Sequence, residues 1–164
     1  MKTFAPIAFA TLLAVSLAGQ TKTSAPVAWK APASGKIFAQ KLVEDMLEKH
    51  SDLLIFVFHI TPPGRTENVI VASNIGRIGK KADEDDMRVI DTGKPNLEVN
   101  SSGDHFEVEM ALKDGAGKTI GAVATVFAYK EGDDKEKLHQ KGEAIRLEVE
   151  KQAPTKAKMF EIVK

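Results

Sequence analysis

The chain has 164 residues, 43% of them apolar and 28% charged, which suits a single domain with its own buried core. Its 23 basic and 23 acidic side chains balance to a formal charge of zero, without the excess of Lys and Arg that nucleic-acid binding needs. With no cysteine, disulfides, thiolate metal sites, cysteine-linked lipid and a cysteine nucleophile are excluded.

Residues 1–18 read as a secretory signal peptide. Lys2 supplies a short positive start, and Ile7 to Val15 is an apolar run too short to span a bilayer. Ser16-Leu17-Ala18 then places small residues where signal peptidase favours them, before a cleavage after Ala18. Gln20 stands where a lipobox would need its cysteine. The mature chain is therefore expected free in the periplasm or secreted, with 146 residues, a net charge of −1 and no membrane span. Residues 19–35, rich in Thr, Ser, Ala and Pro, read as a flexible leader.

From Lys36 to about Lys49 apolar residues recur at helical spacing (Ile37, Phe38, Leu42, Met46), with Ser34 available as a cap. LLIFVFHI at 53–60 is too short for a typical helix and predicts a strand covered on both faces. A turn at 61–64 leads to a second strand over 68–72, making a hairpin. The glycine-bearing loop 73–81 precedes a helix capped by Asp83, with Glu84, Asp85 and Asp86 near the positive end of its dipole. Gly93 and Pro95 end it. Residues 96–100 form a short strand, 105–112 a strand of period two, and 119–129 a long last strand after the DGAGK turn. A final helix from about Asp133 to Lys151 shows a seam of Leu138, Gly142, Ile145 and Val149. That seam suits packing against the first helix or, in a weak homodimer, against a second copy. The tail 152–164 reads as irregular. Strands in hairpins, with helices set apart from them, predict an antiparallel sheet in the α+β class.

Over residues 36–151 this order resembles the single Cache domain, a PAS-like bacterial periplasmic sensor fold. The segments IVASNIGRIGKKADEDDMRVIDTGKP and FEVEMALKDGAGKTIGAVATVFAYK carry the likeness, together with the flanking helices. The resemblance implies an antiparallel sheet of about five strands flanked by N- and C-terminal helices, with a loop and helix over one face. It also implies a small molecule bound under that cover and occupancy relayed to a signalling partner. Trp29 and Tyr129 are the only residues of their kinds, so the Arg-Trp-Tyr amino-acid-binding motif of many double-Cache receptors has no counterpart. No span, kinase or cyclase follows the last helix, so any relay is expected to pass through another protein.

Other motifs have plainer readings. GAGKT at 115–119 mimics the end of a phosphate loop, but Leu112 replaces the required glycine and a strand follows where a helix is needed. GRIG at 76–79 resembles a KH clamp without its flanking helices or basic surface. It reads instead as a hinged loop, with Arg77 either solvated or facing an anionic ligand. Met87 and Arg88 occupy the middle of any calcium loop built on the acidic cluster. His59 is placed on one strand face with Leu53, Ile55 and Val57 as a core imidazole or a ligand contact.

His105, Glu107 and Glu109 share a strand face that could hold a divalent metal or do acid–base chemistry, although the same alternation describes the wet side of a sheet. The favoured function is a non-enzymatic, exported ligand-binding domain without cofactor. Its ligand contacts are expected to be His59, Asn74, Arg77 and Thr125, beneath a 74–92 cover. The alternatives are a periplasmic metal-binding or hydrolytic protein on the His105/Glu107/Glu109 face, and an interaction module with no small ligand.

Overall fold

The computed structural model describes residues 28–163. The signal-peptide segment 1–18 lies outside the described residues, as does the leader up to residue 27. A two-residue strand β1 (Lys36–Ile37) runs straight into helix α1 (Phe38–Lys49). Strands β2 (Leu53–Ile60) and β3 (Val69–Ser73) form the first hairpin, followed by α2 (Glu84–Thr92) and β4 (Asn96–Val99). Then come β5 (His105–Lys113), β6 (Thr119–Ala128), the long α3 (Lys135–Gln152), a single turn α4 (Lys156–Met159) and β7 (Ile162–Val163). The fold is α+β, with a five-stranded antiparallel sheet in the order β3-β2-β6-β5-β4.

The two faces of the sheet are packed differently. Phe56, Phe58, Phe106 and Phe127 point to one side, where Leu42, Val43 and Met46 of α1 and Ile145 and Val149 of α3 complete the main core. Each such fully buried large side chain contributes on the order of 1.5–3 kcal/mol. The other face carries two small apolar clusters, Val57, Ile70 and Ala124, and Val89, Ala111 and Ala122, beneath α2 and the loop before it. The expected arrangement is thus present, with terminal helices on one face and a loop and helix over the other.

Several local expectations give way. Leu53 joins the main core instead of sharing a face with His59, because the register shifts between Leu53 and Ile55 and inverts the alternation there. Ser34 does not cap α1. Ile37 is the N-cap, without a side-chain hydrogen bond, and the Phe38 N–H donates instead to the Glu161 carbonyl at 2.7 Å. That carbonyl comes from the tail, which is ordered: β7 pairs antiparallel with β1, and Met159 of α4 is fully buried. Trp29, within the segment expected as leader, stacks edge-on against Phe160 with centroids 6.3 Å apart.

The α3 seam packs chiefly on the sheet, against β5 and β6, where α1 was the expected partner. An added Cβ at Gly142 would meet Thr125 and Val108, so the missing side chain is what lets the helix sit this close. The link between α3 and the end of α1 is polar, from Glu148 to Lys49 (2.8 Å) and His50 (3.2 Å).

Candidate functional site

The sheet face under α2 encloses a cavity of about 240 Å³. Its floor is Ile55, Val57 and His59 of β2, Ala124 and Val126 of β6, and Glu107 and Glu109 of β5. Ile75, Arg77 and Lys80 of the loop, Asp85 and Asp86 of α2, and Asn96 and Glu98 of β4 supply the walls.

Strand pairing explains the inner end. His59 is opposite Ala122 and Glu109 is opposite Ala124, so β6 lies between the two polar residues and presents only methyl groups there. The room above those alanines is where Asp86 comes down from α2. Asp86 is aimed by its own helix start: Asp83 accepts a hydrogen bond from the Asp86 N–H, and the Asp83 N–H donates to Asp86 Oδ2 at 2.8 Å. This reciprocal box fixes the carboxylate on the first turn. Gly93, left-handed at φ 71°, closes the helix as the sequence predicts.

One ligand-type atom from each of His59, Asp86 and Glu109 lies within 4.8 Å of the others, and all three residues are buried. His59 Nδ1 stands 3.2 Å from Asp86 Oδ2, yet the geometry makes no hydrogen bond, and Nδ1 is left without a partner. Glu109 Oε1 is also unpartnered. Burial, reinforced by the Asp86 carboxylate, pushes the Glu109 carboxyl up to about 9. For Asp86 burial acts upward, but the adjacent His59 imidazole and the Asp83 backbone outweigh it and bring the carboxyl to about 2. Glu107 is raised as well, by burial and then by the charges of Asp86 and of Glu98, its direct cross-strand neighbour.

His59 and Arg77 line this cavity, as expected of ligand contacts, while Asn74 and Thr125 lie elsewhere. The Asn74 side chain is spent on the strand, accepting from the Phe56 N–H and donating to the Leu54 carbonyl. Thr125 faces the main core, since Ala124 and Val126 take the cavity side, and its hydroxyl donates to the Val108 carbonyl at 3.1 Å. Arg77 is the only described non-glycine residue with positive φ, 62°, between the left-handed Gly76 and Gly79.

The reading of His105, Glu107 and Glu109 as a wet face fails at its inner end, where α2 covers Glu109 (2% exposed), while the His105 side chain stays 38% exposed. His105 stays apart from the buried cluster, beside Asp104 (2.9 Å) and Asn100 (3.0 Å). GAGKT forms the β5–β6 turn, with Asp114 Oδ1 accepting from the Ala116 and Lys118 N–H groups. Asp86, which the sequence presents as part of a helix start, is the cavity residue whose place in the buried cluster the sequence reading misses. The small residues Ala122 and Ala124, in register with His59 and Glu109, were the available signal.

No sequence family and no curated protein matches the chain. Among solved structures it is similar to the GAF domain of A. aeolicus nlh2 in an inactive state, with a TM-score of 0.56 and 16% identity over 71% of this chain and 84% of that one. Weaker likenesses are to the Agobacterium tumefaciens repressor BlcR, with a TM-score of 0.49 and 11% identity over 71% and 67% of the two chains. A Light-Oxygen-Voltage domain follows, with a TM-score of 0.36 and 17% identity over 63% and 96%. The first likeness establishes a GAF-like fold, a relative of the PAS-like arrangement expected. None of these neighbours is specific to the Cache family.

Proposed function

We propose that this chain is a non-catalytic, sensor-type domain that takes a small molecule into the cavity under α2. The observation that carries the reading is the cavity itself, roofed by one helix and a loop and retaining buried hydrogen-bonding atoms without partners. A face closed for packing alone would satisfy those atoms or replace them with apolar groups. The GAF-like fold supports the reading by analogy only. Six carboxyl side chains line the cavity (Asp83, Asp85, Asp86, Glu98, Glu107 and Glu109) with Arg77, Lys80 and His59, a balance that favours a cationic or donor-rich ligand over an anionic one. The hydrolytic alternative is weaker, since His105 is spent beside Asp104 and Asn100 while Glu109 gathers with other partners.

The signal-peptide reading of residues 1–18 supports export to the periplasm, where a separate signalling protein would read occupancy. Native mass spectrometry of protein purified without denaturation tests the proposal. A small adduct, released on unfolding and lost in Val126→Phe, which fills the cavity, is the expected result. Bare protein that binds nothing from a periplasmic extract would overturn it.

A further inference from the structure

We propose that the inner end of the cavity is a site for a divalent first-row transition metal, held by His59, Asp86 and Glu109. The inference rests on the cavity being a ligand site and names the ligand of its deepest part. One imidazole and two carboxylates suit zinc or manganese, whereas magnesium and calcium prefer all-oxygen surroundings. With metal–ligand bonds of about 2.0–2.2 Å, donor atoms end up roughly 3–3.5 Å apart. The three donors already lie within 4.8 Å of one another, so side-chain adjustments of about an ångström would close the set around an ion.

Two independent observations point to a missing occupant. His59 is 6% exposed and Glu109 2% exposed, and each has an unpartnered polar atom in the same buried cluster. An unpaired buried acceptor costs about 1–3 kcal/mol, so a fold without use for these atoms has reason to lose them. The donors also come from three separate elements, β2, β5 and α2, and one of them is already oriented by a second contact, the Asp83 N–H on Asp86. A neighbour that fixes a ligating carboxylate in this way is usual around metal ions. The remaining coordination positions would open toward the cavity, leaving room for water or a donor group of a small ligand.

Tag-free protein stripped with chelator and titrated calorimetrically with zinc or manganese chloride tests the site. The expected result is one ion per chain, with magnesium chloride giving no comparable heat. Glu109→Gln keeps the side-chain shape, and His59→Gln keeps a polar group. Each is expected to weaken binding at least tenfold while leaving the far-ultraviolet circular dichroism unchanged. Exposed-site binding is separated by His139→Ala, expected to bind as the parent does. Absence of stoichiometric binding, or affinity in Glu109→Gln and His59→Gln unchanged from the parent, overturns the metal site. A small organic adduct found alongside either result would leave the cavity reading standing, whereas loss of both would sink the two together.

Discussion

Gly142 occupies the point where α3 crosses the sheet, and its missing side chain sets how closely the two can approach. A Cβ there would lie 2.7 Å from Thr125 Oγ1 and 3.0 Å from Val108 Cγ1, and both neighbours belong to central strands that cannot retreat. The Thr125 hydroxyl is also held by the Val108 carbonyl. Gly142→Ala would gain about 1 kcal/mol of helix propensity. Overpacking a closed site costs about 1–3 kcal/mol, so the net change is expected to be destabilising. Urea unfolding measures it, and a more stable variant would refute the close-approach argument. The seam containing this glycine was legible in the sequence as a helical period. What it faces was not, because periodicity identifies an apolar side without naming its partner. Thr125 shows the same limit. Its parity on β6, and so its distance from the cavity, depends on strand register that one chain's residues do not declare.

At the scale of elements, α3 is attached in two ways that answer differently to substitution and to pH. Ile145, 2% exposed, lies in the apolar attachment to the sheet. Ile145→Asp would bury an unpaired charge, and a loss above about 3 kcal/mol is expected. Were the seam a dimer interface instead, the same change would leave a folded monomer. A thermal melt followed by circular dichroism, with sedimentation at micromolar concentration, distinguishes these outcomes.

The second attachment is ionic. Lys49, outweighing a slight upward effect of burial, holds the Glu148 carboxyl below its ordinary range, with help from His50. A carboxyl that binds its proton more weakly when folded adds stability above its unfolded value near 4.5, and that stability is lost as pH falls through the lower folded value. Asp52, drawn down chiefly by Lys141 of α3, has the same sign. Such exposed pairs are worth below about 1 kcal/mol. Glu148→Gln is therefore expected to be slightly less stable than the parent at pH 7, with the gap closing as the pH falls from 4.5 through the lower folded value. A gap that does not shrink as the parent's carboxyl protonates would assign the effect to packing.

Across the whole molecule the division of labour runs between the faces of one sheet. The hairpins, α2 with its Asp83 cap and Gly93 stop, and the α+β class were legible because turn residues, capping residues and period-two alternation are local signals. The tail was not, since β7 pairs with β1, and α4, a single turn capped by Thr155, packs near α1, both more than a hundred residues earlier. The buried cluster was legible one residue at a time but not as a group, because His59, Asp86 and Glu109 meet only when β2, β5 and α2 share a face.

The same division sets the dynamics. β2, β5 and β6 bear the main core on one side, whereas α2 buries only Asp86 and Val89 of its own residues. The loop before α2 contains three left-handed residues in sequence positions 76–79. Segments with few buried apolar contacts open with the smallest free energies. Native-state hydrogen exchange is thus expected to show the α2 amides exchanging well before those of β5 and β6 in chelator-treated protein. Zinc should then slow α2 selectively, because Asp86 ties that helix to His59 and Glu109 on the strands beneath. Protection of α2 equal to that of the central strands before any ion is added would mean that the roof of the cavity is fixed, and that a ligand has to enter past the rim instead.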